Sequence, residues 1–256
     1  MSRFFLVVLI AALLAGCSSA SYSPTAFPYE INEERIKEAN IRRVIIASAN
    51  VSGEPTRHHL QQPAARIDRL VKQYLEQNGY QVVDGHHFEN AWNQAIRTYG
   101  DIYDPTTGRV DGPTWNAVMV ETLSALAQRG DVDAVIFTDV IEHEVAHNIG
   151  LEHLAQWWGV SRKPHVARQN TQISTDFNWN QPVRAASLVI TIYLPDLTGV
   201  FASRGGLDTI QSLDGRTGSG RWVRRKNMLE SEKELMEGIR LAFHPFIPMQ
   251  DYPGRR

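Results

Sequence analysis

Hydrophobic positions along the chain change period several times, and each change marks an element. Arg43-Val44-Ile45-Ile46-Ala47-Ser48-Ala49 is a run rich in β-branched residues closed by Gly53 and Pro55, which predicts a buried strand. Ile67, Leu70, Val71, Tyr74 and Leu75 then recur at three- and four-residue intervals, predicting an amphipathic helix that Asn78-Gly79 stops in a left-handed turn. Tyr80 to Val83 returns to strand. Two further helices are predicted, from His87 to about Tyr99 and from Trp115 to Gln128, separated by a Pro/Gly loop from Asp104 to Pro113 and ended by Gly130.

From Val132 the signal is extended. Six of the eleven residues from Val135 to Val145 are β-branched, which disfavours helix and predicts a strand over 132–142. In Arg184 to Leu194, Leu188, Ile190, Ile192 and Leu194 alternate with Val189, Thr191 and Tyr193, and Pro195 to Gly199 turns this strand into Val200 to Ser203. Gly205-Gly206 and the stretch from Gly215 to Gly220 read as turns. A capping box at Ser231 and Glu234 opens a last helix with Leu235, Ile239, Ala242 and Phe243 on its apolar stripe, and Pro245 ends it. The predicted fold class is α/β (α+β), a mixed β-sheet flanked by helices in a single compact domain over 41–250, followed by a 251–256 tail.

The amino terminus changes the picture of where this domain works. Arg3 precedes an apolar run from Phe4 to Leu14 that is too short for a bilayer, which needs about 20 residues. It ends in Leu14-Ala15-Gly16-Cys17, which resembles a bacterial lipoprotein signal with its lipobox. That resemblance implies a cleaved signal over 1–17, acylation (palmitate among the chains) at Cys17, a tether over 18–40 and, from Ser18, sorting to the outer membrane. The domain would then face the periplasm or the cell surface. Cys17 is the only cysteine, so the rest of the chain has no disulfide, thiolate site or cysteine nucleophile. With 26 Lys+Arg against 28 Asp+Glu, no overall field favours nucleic acid or anionic lipid, and the cluster Arg221, Arg224, Arg225 and Lys226 reads as a solvated face.

The order strand, helix ending Asn-Gly-Tyr, strand, helix pair and Val132-Asp133-Ala134-Val135-Ile136 resembles small periplasmic α/β domains of envelope lipoproteins, akin to the TolB amino-terminal domain and the curli-secretion lipoprotein. Trp158-Gly159-Val160-Ser161-Arg162, Arg204-Gly205-Gly206-Leu207-Asp208 and Ala242-Phe243-His244-Pro245-Phe246 are similar to segments of such proteins. The resemblance implies a role in envelope assembly, transport or binding without catalysis, with no cofactor and with an envelope protein as partner. Trp157, Trp158 and Trp179 are the candidate binding surface.

A local motif supports a different reading. His143-Glu144-Val145-Ala146-His147-Asn148-Ile149-Gly150-Leu151-Glu152-His153 spells H-E-x-x-H-x-x-G-x-x-H and resembles the metzincin zinc metalloproteases. On a helix, His143 and His147 would lie one turn apart and share a Zn²⁺ with His153, Glu144 would activate the bound water, and the substrate would be a polypeptide. The chain departs from that family in having no methionine between His153 and Met228. On a strand, at ~3.3 Å per residue, the two histidines would be ~13 Å apart and could not share one metal.

Overall fold

The computed structural model describes residues 29–47, 58–167, 173–216 and 220–250. Ten strands and five helices follow one another as β1 (Glu30–Ile31), α1 (Glu33–Ala39), β2 (Arg43–Ala47), α2 (His58–Gln77), β3 (Gln81–Val83), α3 (His86–Tyr99), α4 (Gly112–Arg129), β4 (Ala134–Val145), β5 (Ala155–Trp157), β6 (Val160–Arg162), β7 (Val183–Tyr193), β8 (Gly199–Thr209), β9 (Gln211–Asp214), β10 (Arg221–Arg224) and α5 (Glu232–Phe243). Six strands form one mixed sheet in the order β1-β8-β7-β4-β2-β3, and β5-β6 and β9-β10 form two small antiparallel sheets. The expected mixed sheet flanked by helices is the architecture of the chain.

Strand β2 is parallel to both β3 and β4, so the chain crosses from β2 through α2 to one side and returns through α3 and α4 to the other. The remaining pairs β4-β7, β7-β8 and β8-β1 are antiparallel. Alternation along the strands sorts the core into two layers. Val44, Ile136, Leu188, Ile190 and Ile192 pack with Ile67, Val71 and Leu75 of α2 and with Leu235, Ile239 and Phe243 of α5. Ile45, Val135 and Phe137 face the other way, onto Phe88 and Trp92 of α3 and Val118, Leu123 and Leu126 of α4.

Three departures from the sequence reading have local causes. Within the span assigned to a tether, residues 30–39 form β1 and α1. Asn32 caps α1 by accepting from the Arg35 amide, and Asn32 itself donates to the Val200 carbonyl, which binds this segment to the sheet. Helix α4 starts ahead of Trp115 because the Asp111 side chain accepts from the Thr114 amide, and Pro113 sits in the first turn, where a missing N–H costs nothing. Gly205 and Gly206 are not a turn: they lie inside β8, which runs to Thr209. A Cβ on Gly205 would stand 2.0 Å from the Gly238 carbonyl oxygen of α5, and one on Gly206 would stand 2.2 Å from Cγ2 of Val160. The glycines admit close packing on both faces of the strand.

The 37 residues between β4 and β7, of which 168–172 lie outside the described set, carry the β5-β6 hairpin onto the sheet. This hairpin covers the outer edge of β8, where the Gly206 amide donates to the Trp158 carbonyl and Arg162 Nε donates to the Leu207 carbonyl at 3.0 Å. Arg162 continues to Glu237 of α5 through a 2.7 Å ion pair, buried at the arginine and partly buried at the carboxylate.

Candidate binding site

Helices α3 and α4 cover only part of their side of the sheet. The β4 residues on that side are Phe137, Asp139, Ile141 and His143, paired in register with Thr191, Val189, Ser187 and Ala185 of β7. On β8, Ala202, Arg204 and Gly206 continue the rows. The helices cover the Phe137 end and the β5-β6 hairpin covers the Ser187 end, leaving between them a groove of about 220 Å³. Its floor is Asp139, Ile141, Val189 and Thr191, with Trp115 and Tyr193 at one end and Arg204 at the other.

The groove combines polar groups with aromatic walls. Asp139 is only 4 % exposed. Nε1 of Trp115 is buried without a hydrogen-bond partner, a donor whose desolvation is uncompensated. Arg204 is exposed, and its Cζ lies 5.1 Å from the ring centroid of Trp158, a cation–π contact that keeps a positive charge at the rim. A carboxylate on the floor, an indole N–H at one end and a guanidinium at the other can orient a polar chain laid over apolar Val189 and Ile141.

Of the residues singled out in the sequence, Trp158 borders this groove through Arg204, whereas Trp157 is buried and its Nε1 donates to Ser187 Oγ at 3.1 Å. His143 lies against both tryptophans, with ring centroids at 6.1 and 6.3 Å. Its Nε2 is 2.7 Å from Ser187 Oγ, but that serine is fully buried, so the pair braces the hairpin and offers no nucleophile to solvent. Burial pushes the His143 imidazole below its ordinary pKa, a hydrogen bond with the Glu144 backbone works against this, and the Arg204 charge adds to the lowering.

The H-E-x-x-H segment is not a helix. His143 and Glu144 are within β4, and His147 follows it in irregular chain. The two rings are therefore not one helical turn apart on a shared face: His143 lies against Trp157 and Trp158, and His147 against Trp222. Glu144 is exposed and pairs in register with Arg184. His147 is fully buried and stacks on Trp222 at 5.1 Å, and its Nδ1 donates to the His153 carbonyl at 3.0 Å. His153, held at φ 50°, stacks on Trp179 at 3.8 Å. With Phe177, these rings make one aromatic cluster in which Trp179 and Trp222 lie 6.4 Å apart. Trp179 is therefore a packing partner of His153 and not part of the groove. The donor atoms of His143, His147 and His153 do not converge, so this set does not fit the zinc of the metzincin arrangement.

Among the described residues, one group does bring three metal-ligating side chains within 4.8 Å of one another: His165, Asp208 and Glu234. Its central carboxylate is already saturated. Asp208 Oδ1 accepts from His165 Nε2 and the Thr209 amide, and Oδ2 accepts from Arg225 Nη1 at 2.6 Å and the Leu229 amide. Four donors occupy the four lone-pair directions of a carboxylate, and one donor is a guanidinium that a cation would have to displace. Burial raises the Asp208 pKa, but the His165 hydrogen bond and the Arg225 charge outweigh it and hold the group ionised, below the usual carboxylate range.

The groove residues were not evident as a site in the sequence, although Asp139 left a signal: a carboxylate inside a run of β-branched residues, two positions from Phe137 and Ile141 on the same strand face. Cys17, the lipidation residue of the sequence reading, lies outside the described residues, and no helix among those described is long and apolar enough to cross a membrane. Comparison of the chain with protein-family models, with curated proteins and with solved structures found no match.

Proposed function

We propose that the protein is a lipid-anchored envelope component that binds a polypeptide partner without catalysis, held at the outer membrane through Cys17 and engaging its partner along the sheet face between α4 and the β5-β6 hairpin. The observation that carries this reading is the uncovered stretch of β4, β7 and β8, where a buried carboxylate, an arginine rim and aromatic ends flank partly exposed Val189 and Ile141. A sheet face in a folded domain is ordinarily either covered or polar; one that is neither serves recognition. The lipobox supports the location, and the scattered histidines of the 143–153 segment favour binding over hydrolysis.

The test is a photo-crosslinking amino acid at Thr191, on the groove floor, expressed in the full chain in cells. A discrete crosslinked product is expected, absent when the same group replaces Glu121, which is exposed on α4, and weakened by Arg204→Glu. Glu144→Gln is expected to leave the product and its yield unchanged. No site-specific product, or a peptidase activity lost in Glu144→Gln, would defeat the proposal.

A further inference from the structure

The basic run from Arg221 to Lys226 is not simply a solvated face. It forms β10 and the residues beyond it, and together with β9 and the chain around His165 it bounds a cleft of about 680 Å³ separate from the sheet groove. Four cationic side chains, Arg216, Arg224, Arg225 and Lys226, line this cleft against one carboxylate, Asp214, in a chain whose formal net charge is -2. Asp214 and, behind the wall, Asp208 offset two of these charges, and the remaining positive surplus attracts anions.

Two of the arginines are paired with carboxylates, Arg225 from behind the cleft with buried Asp208 and the more exposed Arg216 with Asp214 in the lining. Asp208, 1 % exposed, accepts from Arg225 Nη1 at 2.6 Å, the Thr209 carbonyl accepts from the same nitrogen at 2.7 Å, and the Asn227 carbonyl accepts from Nη2 at 3.0 Å. These bonds use three of the five guanidinium N–H groups, so Nε–H and one Nη2–H are left over. Arg216 binds Asp214 through Nε and Nη2, with both Nη1 hydrogens left over. Lys226 is exposed and adds an ammonium. Fixed guanidiniums lose little freedom when an oxyanion arrives, which distinguishes this cleft from a patch of mobile surface lysines. The walls also include Val166 and Val223, which suit an apolar or ring portion beside the charge.

We propose that this cleft is a binding site for a ligand carrying a phosphate monoester or diphosphate group, whose oxygens accept the spare N–H groups of Arg225, Arg216 and Lys226. Phosphate fits better than a carboxylate because its three terminal oxygens can take donors from several directions at once, as the cleft presents them. The ligand is either a free phosphorylated molecule or the headgroup of a lipid.

The experiment is calorimetric titration of the full chain in non-ionic detergent with three probes: inorganic pyrophosphate, dihexanoyl phosphatidic acid and dihexanoyl phosphatidylcholine. Binding of pyrophosphate alone identifies a soluble phosphate ligand. Stronger binding of the phosphatidic acid, with none of the phosphatidylcholine, identifies a lipid headgroup. In either case Lys226→Glu, an exposed change that leaves the buried Asp208 network intact, is expected to weaken binding about tenfold, the effect of losing one charge-assisted contact. Lys37→Glu on α1 makes the same charge change away from the cleft and is expected to have no effect. No binding of either phosphate probe, or equal weakening by the two variants, would overturn the assignment. The result is independent of the sheet groove and of lipidation at Cys17.

Discussion

His147 shows how one side chain couples packing to pH. Its Nδ1 hydrogen is committed to the His153 carbonyl, and the neutral ring therefore presents Nε2 as a bare acceptor, buried and without a partner. Protonation would put a charge into the face of Trp222 with nothing to receive the second N–H. Burial accordingly lowers its pKa from 6.5 to about 4, the hydrogen bond to His153 opposing only in part and the nearby His165 and His153 adding to the lowering. The unfolded chain binds this proton between pH 6.5 and 4 and the folded chain does not, so the contribution to stability is complete above pH 6.5 and is lost as pH falls toward 4. The loss amounts to about 3 kcal/mol, at 1.36 kcal/mol per unit. Denaturant melts across this window are expected to show a shallower fall for His147→Gln than for the natural chain; parallel curves would mean that the ring is solvated in the folded state. The histidine was visible in the sequence as a motif member, but its burial was not, because burial comes from Trp222, 75 positions away along the chain.

At the scale of elements, periodicity served well where one element buries one face. The stripe Ile67, Leu70, Val71, Tyr74 and Leu75 is buried on α2, and Leu188, Ile190 and Ile192 are buried on β7, as their spacing predicts. It served poorly for β5, β6, β9 and β10, three or four residues each, where no period develops. Glycine was misleading in β8 for a related reason: local propensity favours a turn, and only the approach of α5 and β6 makes a side chain impossible there. Gly205→Ala is a direct check. Its methyl group would meet backbone of α5 and not a movable side chain, so separation of α5 from β8 is expected to cost about 3 kcal/mol or more, read as a lower denaturation midpoint with the slope unchanged. An unchanged midpoint would show that α5 is not packed on β8 as described. The H-E-x-x-H segment belongs here as well. Composition predicts a strand only over 132–142, and the eleven register pairs with β7 carry β4 on to Val145, so His143 and Glu144 are extended while His147 lies beyond the strand.

For the whole molecule, the fold class followed from the order of elements, and the expectation of an anchor at Cys17 rests on a short segment read without tertiary context. Under the proposed function, Cys17→Ser is expected to abolish incorporation of labelled palmitate and to move the protein out of the membrane fraction while leaving its circular dichroism unchanged. Retention in the membrane without label would place the attachment elsewhere in the chain. Amino-acid order alone determined the four longer helices and the long strands, because amphipathic period, capping residues and β-branched runs are local properties. It did not determine the sites. Asp139, Trp115 and Arg204 meet because β4, β7 and β8 pair in one register while α4 and the β5-β6 hairpin stop short of each other. Arg225 and Arg216 meet His165 because β9 and β10 fold back beside that segment. Each of these groups is drawn from residues far apart in the chain, and their juxtaposition depends on long-range pairing that no local pattern encodes.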